Sequence, residues 1–374
     1  MTTLKKCWSI GWRTALCVLL LFWIFHTIFL NEGRLWAQRQ GLDWSQLPRG
    51  RQWSLAWTKG PDDLWRTLHL VHPGALVIST GLVGLAILLG VVRWRMVLET
   101  QGLDLPLGRA TRISLVAQFF NSFLLGSTGG DLIKAFYAAR ETHHLKTEAV
   151  TTVFVDRLVG LWAMLFFAGV MMAPNLQLLL HHHDIAAPAL VILAMLVALT
   201  VVLSVAFWGG VSKRFPRARH WLRRLPKGVL LEKSLDSCRQ FGRAKGFLAK
   251  AVALSLVLNL IWVLQISVLG GGLDLSIPFT ALLCIVPIIF CISALPITPN
   301  GLGVRENLFV FMLAALAVPG TAALSVSLLA SAQGLFWSLV GGVVYFGARE
   351  KEHLADVTRP TGETETGETA PDVN

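Results

Sequence analysis

FFNSFLLGSTGGDLIKAFYAAR, residues 119–140, is the stretch on which the reading of the whole chain turns. An apolar run meets Asn121, breaks at Gly126-Ser127-Thr128-Gly129-Gly130, and resumes carrying Asp131 and Lys134. Glycine gives the backbone freedom and lets another group approach closely. Amides freed at such a break need partners, because hydrocarbon offers none. A polar, broken helix at membrane depth is tolerated only where it lines a cavity or is buried in protein. Asp131 and Lys134 lie at i and i+3, so a resumed helix puts them on one face.

A second stretch echoes the first. SALPITPNGLGVR, residues 293–305, also follows an apolar run and also ends in a cation. An offset of 171 residues pairs Ser122 with Ser293, Ser127 with Thr298, Gly130 with Gly301 and Lys134 with Arg305. Paired glycine- or proline-interrupted segments in two halves of a membrane chain point to a transport site. An inverted repeat is therefore one of the expectations.

Composition fixes the class. Of 374 residues, 54% are hydrophobic and 15% charged, too little charge for an ordinary soluble domain. Apolar runs near 20 residues recur, so the chain reads as an all-α polytopic membrane protein. About 6–8 transmembrane helices are expected, with re-entrant segments between them. The net charge of +11 lies between the apolar runs, where it sets orientation and meets anionic headgroups rather than nucleic acid. The five cysteines have no metal or redox spacing, and no cofactor is expected.

The apolar spans fall at residues 15–30, 73–92, 149–172, 185–207, 251–269 and 322–346. The first follows Lys5, Lys6 and Arg13 without a small-residue cleavage site, and is expected to be retained. Between residues 31 and 72 five tryptophans sit among charges, suiting either an interfacial segment or a small packed cap. Residues 213–250 hold twelve Lys/Arg against two acids, which makes this loop cytoplasmic by the positive-inside rule. Parity then places Arg93 to Arg112 and Arg140 to Lys146 on that same face. The broken stretch between them must enter and leave by one side, as a re-entrant hairpin. Residues 277–319, interrupted by Pro287, are either two spans or a hairpin from the opposite face. Both termini come out cytoplasmic. The membrane domain covers residues 1–350, and the acidic, low-complexity residues 351–374 read as a disordered tail.

With these motifs in order, the chain resembles the transmembrane region of the lysylphosphatidylglycerol synthases, the flippase-like domain family. The resemblance rests on Arg93-Trp94-Arg95, FFNSFLLGSTGGDLIKAF, VDRLVG at 155–160 and LPITPNGLGVREN at 295–307. Where the family often has Leu-Pro-Gly before its Gly-Gly-Asp, this chain has Leu125-Gly126-Ser127. Full synthases add a soluble aminoacyl-transferase domain; here a short tail follows, so the resemblance implies the lipid-translocating part alone. The expected partners are membrane lipids, either an anionic phospholipid or a polyprenyl-phosphate-linked lipid, with a lipid-modifying synthase as a further candidate.

The candidate substrate-binding residues are Asn121, Gly126, Ser127, Gly129, Gly130, Asp131 and Lys134 in the first stretch. Asp156 and Arg157, two turns inside a span, join them because charges at depth usually face a cavity. Pro296, Thr298, Asn300, Gly301, Gly303, Arg305 and Glu306 complete the set. Arg305 suits a phosphate with its planar fork, and a helix beginning near Gly303 would favour an anion. Each charge also has a plain reading, as a helix-start carboxylate or a structural ion pair. His181-His182-His183-Asp184 does not make a metal site, since consecutive histidines point apart. No nucleophile elbow, phosphate loop or HExxH motif is present, so no catalytic residue is assigned and the chain reads as a lipid flippase rather than an enzyme. Two other readings stay open: an intramembrane glycosyltransferase using Asp43, Asp62 or Asp63, and a scaffold for a synthase.

Overall fold

Every regular element among the described residues is helical. The computed structural model describes residues 40–123, 129–141, 146–181, 183–207, 245–295, 301 and 303–358, with isolated positions between 19 and 37. Most of the first span, the loop through residue 244, Gly126, Ser127, Pro296, Thr298, Asn300 and the tail from 359 lie outside them.

Five helices are long and apolar enough to cross a membrane. They are α2 (Pro73–Glu99), α5 (Lys146–Met172), α7 (His183–Phe207), α8 (Lys245–Gly272) and α11 (Gly320–Thr358). α1 (Arg49–His69) precedes them, and the short α6 (Leu176–His181) joins α5 to α7. Pro73 opens α2, where its fixed φ and missing N–H cost the helix nothing. Within the Trp-rich segment, α1 packs through its aromatic face. Trp57 of α1 stacks on Phe22 and His26 and meets Phe29 edge-on, while Trp53 stacks on Trp57.

The broken stretches form two helical hairpins. The first consists of α3 (Leu107–Phe123) and α4 (Gly129–Glu141). Gly130 lies against Ala117 and Asn121, while Ala135 and Ala138 share a core with Ala110 and Ile113, so α4 doubles back along α3. At 17 and 13 residues these arms reach about 26 and 20 Å, short of the ~30 Å hydrocarbon thickness. The second hairpin has α9 (Phe279–Ser293) and α10 (Val304–Ala314), with 15 and 11 residues, shorter still. Both arms within residues 277–319 fall short of that thickness, as a hairpin requires.

The two halves are inverted copies in their packing. α2 and α8 run antiparallel. The His72 N–H donates to the Gly272 carbonyl at one end, Ala86 packs with Leu258 and Ile261, and Val97 shares a core with Ala251 at the other. α3 packs on α11 as α9 packs on α5, and α4 on α5 as α10 on α11. The α3–α11 crossing is close. A methyl on Gly341 would lie 2.0 Å from the Leu115 carbonyl, so a small residue is required there. The apolar centre lies where α5, α8 and α9 converge on Leu165, Ile266, Ile285 and Ile288, all fully buried.

Single cysteines at Arg109, Arg140 and Lys250, with the native cysteines replaced, are expected to react with an impermeant thiol reagent from one side. One at Asp274 should react from the other. Labelling of Arg109 and Arg140 from opposite sides would mean that the stretch crosses once, and the first hairpin would be lost.

Candidate functional site

Arg93 enters the protein interior six residues before α2 ends. Its Nε donates to Asp156 Oδ1 at 2.8 Å, Nη2 to Oδ2 at 3.4 Å, and Nη1 to Ser255 Oγ at 3.0 Å. Asp156 comes from α5 and Ser255 from α8, so one guanidinium ties three spans. Gly160, one turn beyond Asp156, makes the room: a methyl there would sit 2.8 Å from both terminal nitrogens of Arg93. Lys134 of α4 reaches the same carboxylate, its Nζ 3.8 Å from Asp156 Oδ2 and 4.1 Å from the centre of the Trp94 ring. Arg93, Lys134 and Asp156 are all largely buried. Two cations thus surround one carboxylate. The indole N–H of fully buried Trp94 has no acceptor among the described residues.

Asp131 does not hold Lys134, although the two share a helix. Its Oδ2 accepts from Arg157 Nε at 2.6 Å, on the outward side of the α4–α5 seam. Asn121 and Gly130 have a structural part: the Gly130 N–H donates to Asn121 Oδ1 at 2.8 Å. A methyl on Gly130 would lie 2.0 Å from the Ala117 carbonyl, so the hairpin closes only on glycine. Gly129 opens α4 beside it.

In the second hairpin Gly301 and Gly303 take φ of +70° and +82°, which L side chains rarely adopt. The amide expected to await an anion is already taken. The Gly303 N–H donates to Glu306 Oε2 at 2.6 Å, and Glu306 is fully buried. Its other oxygen faces Arg305 Nε at 3.6 Å and accepts from Ser331 at 3.3 Å. Arg305 also donates to Ser331 Oγ. The second cation is therefore neutralised by its own neighbour. The 171-residue offset that matches Lys134 to Arg305 also matches Asp156 to Ser327, which donates to Glu306 Oε1 at 3.5 Å.

Further buried polar side chains lie along α8 and α11. Asn259, one turn past Ser255, donates to the Ser255 carbonyl at 2.7 Å. Further along α8, Gln265 donates to Gln333 of α11 at 2.7 Å, and Gln333 donates to Ser79 of α2 at 2.5 Å. Gln333 lies two residues beyond Ser331 on α11 and Asn259 one turn beyond Ser255 on α8, so buried polar side chains continue along both helices past the two clusters.

Residues 52–342 match the family described as the lysylphosphatidylglycerol synthase TM region. The chain belongs to that family. No curated protein matches it. The family match takes in both hairpins and every charged residue of the two clusters. Sequence reasoning quoted Arg93-Trp94-Arg95 as a family motif without giving Arg93 or Trp94 a role in the site. It passed over Ser255, Gln265 and Gln333 altogether, though polar residues inside apolar spans were the available signal.

The cluster makes a thermodynamic claim. Asp156→Asn leaves two buried cations facing each other and should lower stability by about 3–5 kcal/mol. Gly160→Ala should fall short of that loss, since it crowds the guanidinium but leaves the charges paired. Gly90→Ala, whose methyl meets nothing within 4 Å, should stay within about 1 kcal/mol of the parent. Thermal unfolding in detergent measures all three, and Asp156→Asn matching Gly90→Ala would strip the cluster of its structural weight.

Proposed function

We propose that the chain is a flippase-like transporter that moves an anionic lipid headgroup across the cell membrane, with both termini cytoplasmic. The observation that carries this reading is the Arg93–Lys134–Asp156 cluster. It places an excess of positive charge and an unpaired indole donor inside a membrane domain, where an uncompensated cation is costly and an anion is favoured. A phosphate supplies both the charge and the acceptor oxygens. Family membership supports a lipid-related role. Buried polar side chains along α8 and α11 support a path, with Lys134 as the first receiving cation and Arg305 as the second.

On this reading the lipid keeps its chains in the bilayer while the headgroup travels through the protein. An apolar groove of about 110 Å³ is lined by Val159 and Trp162 of α5, Leu203 of α7, and Leu248 and Val252 of α8 among others. Val159 lies one turn beyond Asp156 toward Met172 on α5, so a chain in this groove would run along the span that holds the carboxylate. The protein performs no covalent step and needs no cofactor in this scheme. A phospholipid and a polyprenyl-phosphate-linked lipid offer the same phosphate. A synthase that makes the headgroup would be the natural partner.

A second reading has one observation in its favour. Asp62 and Asp63 line a polar cavity of about 100 Å³ with Glu32, Trp36, Lys59 and Arg66, a combination that suits a sugar. Asp43, the third acid of that reading, is occupied in capping a short helical turn through Ser45. Glycosyl transfer from a polyprenyl-phosphate donor would then be found, and would vanish with Asp62→Asn.

Translocation of labelled phosphatidylglycerol in proteoliposomes tests the first reading. Losing one charge-assisted phosphate contact, worth about 1.5–3 kcal/mol, should slow Lys134→Ala roughly ten- to hundred-fold. Arg305→Ala should slow it comparably, and Arg112→Ala, an exposed cation, should leave it unchanged at matched incorporation. Lys134→Ala and Arg305→Ala as fast as Arg112→Ala would remove the basis for the proposal.

A further inference from the structure

The seam between α4 and α5 carries two ion pairs of opposite sense. Toward the interior the cation stands on α4 and the acid on α5, as Lys134 and Asp156 at 3.8 Å. Toward the outside the acid stands on α4 and the cation on α5, as Asp131 and Arg157 at 2.6 Å. Asp156 and Arg157 are neighbours in the chain, and Asp131 lies one turn before Lys134. The two pairs are therefore a single step apart through the seam.

The outer pair sits where charge is unexpected. The Arg157 side chain is 53% exposed and that of Asp131 27%. Around them the surface is apolar: Leu132 and Phe136 of α4, and Val150 and Phe154 of α5, are all exposed. Val150, Phe154 and Arg157 follow at i, i+4 and i+7, so one stripe of the helix turns from hydrocarbon to guanidinium. Arg157 lies 11 residues into α5, about 16 Å along its axis and within the apolar span. A charge on an exposed apolar stripe of such a span is kept by pairing, here with Asp131, and marks a place where a polar visitor can be met.

We infer that the α4–α5 seam is the lateral doorway for an anionic phospholipid, whose phosphate first meets Arg157 and displaces Asp131 from it. The inference rests on the transport reading above and names where that lipid enters. The phosphate takes the place of one carboxylate and releases it. The next cation inward is Lys134, held by Asp156, and the same exchange repeats there. At each step one anion replaces another, so no buried cation is left uncompensated. The apolar residues flanking Arg157 suit acyl chains, and their exposure means that the visitor approaches from the bilayer.

Binding of phosphatidylglycerol to the full chain in detergent, followed by native mass spectrometry, separates a doorway from a clamp. Asp131→Asn removes the carboxylate that competes for Arg157 and should strengthen binding about tenfold, while Arg157→Gln should weaken it by a similar factor. A purely structural pair would send both variants the same way, and that result would overturn the doorway. So would competition by water-soluble glycerol phosphate, or equal binding of uncharged diacylglycerol. If Lys134→Ala translocates normally yet the two seam variants shift binding in opposite directions, the transport reading falls and the doorway stands as a lipid-binding site.

Discussion

One carboxylate organises the first half of the protein. Asp156 receives Arg93 from α2 and Lys134 from α4, while Arg93 extends to Ser255 on α8. None of these spans is held to the others by a hydrophobic drive of the kind that works in water, because lipid tails are as apolar as leucine. Packing and polar contacts must supply the specificity. A buried charge network does so in a way that apolar contacts cannot, since any other register leaves an ion unpaired in hydrocarbon. The glycines beside it follow from that. Gly160 exists to admit the guanidinium, and Gly130 to bring α4 close enough for Lys134 to reach.

The inverted halves share an architecture and differ in electrostatics. In the first half the buried acid, Asp156, is on a span, and the hairpin contributes the cation Lys134. In the second, Glu306 and Arg305 are consecutive on the hairpin, and the span contributes the hydroxyls of Ser327 and Ser331. The second site therefore closes on itself, whereas the first depends on two helices staying together. A hairpin whose charge is satisfied locally can shift without stranding an ion. One whose charge is satisfied across a seam registers any change in that seam.

The fold was largely legible from residues 119–140 and the charge of the loops. Five of the six expected spans match long apolar helices; most of the sixth lies outside the described residues. The hairpin followed from parity alone, because basic residues flank the break on both sides. The partners within the site were not legible. Spacing says that Asp131 and Lys134 share a helix face, but not that Asp156 and Arg157, one residue apart on α5, point to opposite sides of the seam. That choice belongs to the angle at which α5 packs against α4, and no short-range pattern encodes it. The same applies to Gly303, whose amide looked free in the sequence and is bound by a carboxylate three residues on.

The strength of each cation's hold follows from its contacts. Arg93 makes two hydrogen bonds to Asp156 and one to Ser255, and it lies in a cradle cut by Gly160. To leave, it would break all three and strand a carboxylate. Lys134 touches the same carboxylate at a looser 3.8 Å and otherwise rests on the face of Trp94. Its compact ammonium on a flexible stem can swing to a new anion without disturbing the backbone, which a pinned guanidinium cannot. Asp156 keeps Arg93 when Lys134 turns away, so the move strands no charge. The fixed cation holds the helices, and the loose one is left to exchange partners.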